Sequence, residues 1–111
     1  MFDRDAWVTS LERLFETPEP FRQWLIRRLP DGVVGEPRNS TGCPLFWFIR
    51  DNVCECWVHP ETVVHPCGER WFLPPWATIF QVLVDIGPDR PVTARRALRL
   101  LERAVKKVYQ D

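Results

Sequence analysis

Three of the chain's four cysteines and both of its histidines lie in one fourteen-residue segment, CECWVHPETVVHPC at 54–67. Thiolates and imidazoles are preferred ligands of Zn²⁺, and a structural zinc site holds four such side chains in a tetrahedron. With Cys43 in reserve, the candidate ligands are Cys54, Cys56, His59, His65 and Cys67. A zinc-stabilised structural domain is therefore one hypothesis for this chain.

The spacing of these residues also fits a plain β-hairpin. Structural zinc sites commonly use C-x2–4-C, whereas Cys54 and Cys56 on a strand would hold their side chains about 6–7 Å apart, given the strand rise of about 3.3 Å per residue. His59 would point to the opposite face. In the alternative, Cys54, Cys56 and Val58 are buried as small apolar side chains, and both histidines stay partly exposed at strand ends.

A catalytic thiol is a third interpretation, with Cys67 as nucleophile and His65 as base. Such a pair needs hydrogen-bond reach, about 2.6–3.2 Å, and a group that orients the base. Residues two apart on a strand do not meet this requirement. The chain also lacks G-x-x-x-x-G-K-[ST], G-x-G-x-x-G, H-E-x-x-H and G-x-S-x-G. We therefore predict no catalytic residues, no cofactor apart from the zinc alternative, and a protein that is not an enzyme.

Basic residues near the C-terminus form a second candidate site. Residues 90–111 hold seven Lys or Arg against two acids, whereas residues 1–89 hold eight Arg against thirteen acids, and the formal net charge is zero. One helical stripe, flanked by Arg96 and Lys107, contains Arg95, Arg99, Arg103 and Lys106. Guanidinium groups bind carboxylates and phosphates bidentately, so this stripe suits an acidic protein or a nucleic acid. The neutral total charge counts against nucleic acid, and a solvated helix face is the plainer alternative.

Aromatic residues are the third candidate. Six Trp and seven Phe are more than a small core easily hides. Trp and Arg dominate interface hot spots, so Trp57 and Trp71 are predicted to contact a partner together with the arginine stripe.

The N-terminal half of the chain predicts helices. Apolar spacing indicates two helices within 3–29, with Leu29 facing inward and Asp3 or Asp5 as the first cap. A loop follows at 30–42. Residues 43–73 predict a short helix, capped by Ser40 or Thr41, and then an antiparallel meander.

Two more helices are predicted at 75–86 and 93–109. The first has only three polar residues, Thr78, Gln81 and Asp85, so it is predicted to be the central buried element. Asp85 is expected to pair with an arginine or to bind a backbone group rather than act as a base. The second helix is the basic one, and Thr93 is placed to cap it.

Together these patterns predict an α+β fold in one domain, 1–111. The start, MFDRDAW, does not resemble a secretory signal, and no apolar stretch reaches the ~18 residues of a membrane span, so we expect a cytoplasmic protein without a membrane partner. Abundant Arg and Pro suggest a GC-rich prokaryotic genome. The predicted function is a non-enzymatic protein-interaction module, an adaptor, regulator or inhibitor of a larger complex. A nucleic-acid-binding module and a zinc-stabilised domain are the alternatives.

Overall fold

The computed structural model describes residues 1–109, which form an α+β fold as predicted. The helices are α1 (Arg4–Phe15), α2 (Glu19–Ile26), α3 (Pro44–Asn52), α4 (Pro75–Asp85) and α5 (Ala94–Tyr109). The strands are β1 (Val33–Gly35), β2 (Trp57–Val58), β3 (Thr62–Val64), β4 (Arg70–Phe72) and β5 (Val92–Thr93). No helix in this part of the chain has both the length and the apolar character needed to cross a membrane.

Two predicted helix caps are confirmed, whereas the predicted cap of α3 and the predicted position of Leu29 in the second helix are wrong. Asp3 caps α1, because its Oδ1 accepts a hydrogen bond from the N–H of Ala6 at 3.1 Å, and Thr93 Oγ1 accepts one from the N–H of Arg96 at 3.2 Å. The predicted caps of α3 were wrong, since Cys43 occupies that position. Leu29 was also wrongly placed, because α2 ends at Ile26 and leaves this side chain 80% exposed.

Two small antiparallel sheets complete the fold. The predicted meander is present as β2–β3–β4, with Trp57 opposite Val64 and Trp71 opposite Val63. A second sheet pairs β1 with β5, so that part of the predicted loop at 30–42 is a strand. Strands of two or three residues leave no periodicity to detect, which explains why the sequence did not indicate this sheet.

One aromatic cluster lies at the centre of the hydrophobic core. The Trp76 ring lies 5.6 Å from the Phe15 ring and 6.1 Å from the Phe21 ring, between centroids. The Phe80 ring meets that of Phe21 edge to face at 5.0 Å. This cluster joins α1, α2 and α4, and α5 closes the core with buried Ala97, Leu101 and Ala104.

The helix α4, predicted to be the central buried element, buries Trp76, Phe80 and Val84 but leaves Val82 42% exposed. Gln81, a member of its narrow polar stripe, is buried, and its Nε2 donates to Asp85 Oδ1 at 3.1 Å. The same oxygen accepts a hydrogen bond from the backbone N–H of Arg38 at 2.8 Å. This confirms the prediction that Asp85 binds a backbone group. Gln81 and Asp85 therefore lie toward the loop between β1 and α3, whereas Thr78 is half-buried and Val82 faces outward.

Candidate functional site

The outward face of α4 carries an apolar stripe that continues onto β4. Pro75, Ile79, Val82 and Ile86 are spaced i, i+4, i+7 and i+11, which places them on one side of the helix. Val82 is 42% exposed and Ile86 is 74% exposed. Phe72, 72% exposed, lines a hollow of about 360 Å³ together with Pro75 and Ile79. We call Phe72, Pro75, Ile79, Val82 and Ile86 the apolar surface.

A basic groove adjoins the apolar surface at Ile86. This groove of about 490 Å³ lies between the C-terminal end of α4 and α5. Its apolar lining is Leu83, Ile86 and Leu100, and its basic lining is Arg96, Arg99 and Arg103. We call these six residues the arginine groove. The surfaces share one side chain, so a single partner can contact both.

The three arginines of the groove lack acidic partners. No carboxylate within residues 1–109 comes within 4.0 Å of the guanidinium nitrogens of Arg96, Arg99 or Arg103. The Nη1 of Arg96 is buried and has no hydrogen-bond partner in this part of the chain. By contrast, Arg95 lies 3.5 Å from Asp31. Of the predicted stripe, Arg95 is ion-paired and Lys106 is exposed, whereas Arg99 and Arg103 line the groove together with the flanking Arg96.

The two tryptophans predicted to contact a partner differ in exposure. Trp57 is 44% exposed on the outer face of the meander. Trp71 is half-buried, because its register places it beside Val63 on the inner face, where its ring lies 5.5 Å from that of Phe15. Phe72, the next residue, points outward instead. The exposed aromatic side chain of β4 is therefore Phe72.

The structure does not bring the five candidate metal ligands together. Among the described residues, no group of three or more Cys, His, Asp or Glu side chains is arranged to hold a metal ion. The ring of His65 lies 4.0 Å from that of Phe2 and 5.5 Å from that of Trp7, in an aromatic setting. His59 is exposed.

Cys54 and Cys56 are closer than their spacing predicted. Their Sγ atoms lie 3.4 Å apart, and both residues precede β2, which begins only at Trp57. Cys56 is buried and Cys54 half-buried. Cys67 is exposed, and its backbone N–H donates to Nδ1 of His65 at 3.1 Å. His65 thus contacts the backbone of Cys67, and the Cys67 sulfur lies at the surface.

Burial keeps two thiols protonated. It raises the pKa of the Cys43 thiol to about 12 and, helped by the neighbouring Cys54, raises the pKa of the Cys56 thiol to about 12. A reactive cysteine needs the opposite change, a lowered pKa and access to solvent. Cys43 and Cys56 therefore suit packing rather than nucleophilic chemistry.

These pKa values predict a loss of stability in alkali. The unfolded thiols ionise near 9, so the stabilisation is complete below pH 9 and declines as the pH rises toward 12. Between about pH 8 and pH 10 we expect the two thiols to lower the free energy of unfolding by about 2–3 kcal/mol. Urea unfolding at a series of pH values measures this change.

The double variant Cys43→Ala/Cys56→Ala is the control for this prediction. It removes both thiols, so its free energy of unfolding should depend less on pH in the same range. An equally steep decline in the variant would show that other groups cause it.

A cavity of about 520 Å³ lies between α2, α3 and the loop after β1. Asp51 Oδ2 accepts hydrogen bonds from Trp24 Nε1 and Arg28 Nη2, both at 3.0 Å. Arg28 covers the ring of Trp24, and Arg50 covers the ring of Trp47 at 4.1 Å from its centroid. Because Asp51 and Glu36 balance the two arginines, this cavity has no net charge with which to select a ligand.

Comparison with known proteins gives no family or relative for this chain. No family model matches it, and neither does any curated protein or solved structure. The function is therefore inferred from the residues and their arrangement.

The apolar surface was missed by sequence reasoning, although a signal for it was present. The polar residues of α4 are spaced three and four apart, and so are Pro75, Ile79, Val82 and Ile86. The sequence therefore contained two candidate outward faces. The tertiary contacts of α4 determine the outward face: Trp76 and Phe80 are buried in the core, and Asp85 accepts a hydrogen bond from the N–H of Arg38.

Proposed function

We propose that this protein is a small cytoplasmic, non-enzymatic protein-interaction module, an adaptor or regulator of a larger complex, which binds its partner through the apolar surface. The supporting observation is that α4 buries Trp76 and Phe80 in the core and leaves Val82, with Ile86 at its C-terminal end, exposed to solvent. Val82, Ile86 and Phe72 form exposed neighbours of a kind that soluble proteins keep for interaction sites.

The energetic reason is the cost of leaving these side chains in water. Burying a Val, Ile or Phe side chain stabilises by about 1.5–3 kcal/mol. The apolar surface therefore gains from any partner that covers it. Its rim is polar on both sides, with Glu61 near Phe72 and the three groove arginines near Ile86. A central apolar patch with a charged rim is the usual anatomy of a protein–protein interface.

The arginine distribution favours a protein partner over a nucleic acid. A nucleic-acid-binding helix presents its basic residues to phosphates along one open face. Here Arg95 is paired with Asp31, and the unpaired arginines line a groove with an apolar floor. Leucine and isoleucine beside arginine suit a protein chain with mixed apolar and acidic residues.

The test compares two surface variants. Val82→Asp/Ile86→Asp places charge in the apolar surface, and Leu29→Asp places charge on an exposed leucine outside it. We expect proteins that the wild type enriches from host extract to be retained by Leu29→Asp and reduced at least about tenfold by the double variant. Quantitative mass spectrometry measures the enrichment.

Folding and alternative partners are checked in the same experiment. Both variants should unfold within about 0.5 kcal/mol of the wild type, because the changes are on the surface. The proposal fails if the double variant keeps every partner. It also fails if Arg95→Ala/Arg99→Ala abolishes binding to nucleic acid that weakens steeply with salt, since the alternative function would then apply.

A further inference from the structure

We propose that the occupant of the apolar surface and arginine groove is an acidic amphipathic helix of another protein. This inference rests on the proposed function and adds the chemistry of the partner. The apolar side of the helix would cover Ile79, Val82 and Ile86, and its carboxylates would bind Arg96, Arg99 and Arg103.

Charge complementarity identifies the acidic side of the partner. Three guanidinium groups line one groove, and the carboxylates of residues 1–109 all lie more than 4.0 Å from them. Arg96 is the most demanding of the three, because its Nη1 is buried without a hydrogen-bond partner and its Nη2 covers Gly87. An unpaired N–H of a charged group is costly, and beside it the exposed guanidinium groups of Arg99 and Arg103 are open to a carboxylate in the groove.

The spacing of the contacts identifies a helix. On α5 the groove arginines are at i, i+3 and i+7, and on α4 the apolar contacts Ile79, Val82 and Ile86 have the same spacing. Each row spans about 10 Å along its helix, at 1.5 Å per residue. A third helix lying over Ile86, where the two surfaces meet, would present residues three and four apart to both rows.

Charge also orients the partner along the groove. The arginine groove meets the apolar surface at Ile86, whereas Glu61 lies beside Phe72 at the other end. Carboxylates therefore strengthen binding at the end of the partner helix that contacts Ile86. At the Phe72 end they weaken it.

The test uses synthetic helical peptides of about 20 residues with leucines at positions three and four apart. One carries three glutamates beside the leucine stripe, and two matched peptides carry glutamine or lysine in their place. Fluorescence anisotropy measures their dissociation constants from the full chain. We expect the glutamate peptide to bind at least about tenfold more tightly than the glutamine peptide, with the advantage shrinking as salt is raised.

Matched variants locate the contact. Arg99→Glu/Arg103→Glu should weaken binding of the glutamate peptide at least about tenfold and restore binding of the lysine peptide. Arg13→Glu/Arg27→Glu changes the net charge equally on exposed arginines outside the groove, and its effect should stay below about twofold.

The outcomes separate this inference from the proposed function. If the glutamine peptide binds as tightly as the glutamate peptide and Val82→Asp/Ile86→Asp abolishes both, the docking surface stands and the acidic partner is rejected. If that double variant leaves peptide binding unchanged, the proposed function fails too. Tighter binding of single-stranded DNA or of anionic phospholipid vesicles to the same arginines, or self-association of the chain through α4, would also overturn the acidic-helix proposal.

Discussion

Replacing Trp76 with alanine is expected to lower the free energy of unfolding by about 4 kcal/mol. Trp76 is 1% exposed and is one of the largest fully buried side chains in the described part of the chain. Its ring stacks on Phe15 and contacts Phe21, so it joins α4 to α1 and α2. Removing it leaves a cavity where three helices meet, and such a cavity is too large for the surrounding side chains to fill.

A hydrogen bond adds to this loss. Trp76 Nε1 donates to the backbone carbonyl of Phe15 at 3.1 Å, close to the last turn of α1. Alanine leaves that buried carbonyl without its partner, which costs about 1–3 kcal/mol in similar cases. Small domains are stable by only about 5–15 kcal/mol, so Trp76→Ala should unfold at much lower urea concentration than the wild type.

Two further variants show how much of the lost stability comes from the buried Trp76 ring and how much from its N–H group. Trp76→Phe keeps an aromatic ring and loses the donor, so it should lose about half as much stability as Trp76→Ala. Trp57→Ala removes a tryptophan that is 44% exposed and should cost less than about 1 kcal/mol. Equal losses for Trp57→Ala and Trp76→Ala would contradict the central position of Trp76.

The core was largely predictable from the sequence, because its helices carry strong patterns. Trp7, Leu11 and Phe15 on α1, and Ala97 and Leu101 on α5, are buried as their spacing predicted. In both helices charged residues occupy the opposite face, so only one orientation buries the apolar side chains. The sequence also favoured the short helix α3, because Pro44 fits the first turn of a helix.

The candidate site was less predictable, because it depends on contacts between distant segments. In α4 the polar stripe and the apolar stripe both fit the helical pattern, and the choice of outward face depends on core packing and on a contact between Asp85 and Arg38, 47 residues apart. In the Cys/His segment, residue spacing suggested an extended strand, yet the Sγ atoms of Cys54 and Cys56 are 3.4 Å apart. The arginine stripe was visible as a pattern, but its division between Asp31 and the groove required the packing of α5 against α4.

Replacing Gly35 with alanine is expected to lower the free energy of unfolding by about 3 kcal/mol. A Cβ at this position would lie 2.5 Å from the nitrogen of Pro44 and 2.7 Å from the carbonyl carbon of Cys43. Both atoms belong to the backbone at the start of α3, where a proline ring limits adjustment. The methyl group must therefore push β1 away from α3.

The contacts of β1 and α3 determine which parts of the fold Gly35→Ala would disturb. β1 pairs with β5, which leads into α5, and α3 buries Leu45, Phe48 and Ile49 in the core. The hydrogen bond from Glu36 N–H to the Gly42 carbonyl, at 2.8 Å, closes the loop between β1 and α3 and limits how far β1 can move away from α3. Displacing β1 thus disturbs its strand pairing or loosens the packing at the start of α3.

Gly68→Ala separates this contact from the general effect of replacing a glycine. Gly68 has a φ of +102° with no atom within 4 Å of an added Cβ, so its substitution incurs only backbone strain, about 1 kcal/mol. If Gly35→Ala lowers the free energy of unfolding no more than Gly68→Ala does, the proposed contact is not limiting.

Thiol alkylation tests the same contact locally. Cys43, fully buried beside the added methyl, should alkylate faster in Gly35→Ala, whereas exposed Cys67 should react at its wild-type rate. A larger acceleration for Cys43 than for Cys56, which is also buried, would place the strain at the junction of β1 and α3, because global unfolding exposes both thiols.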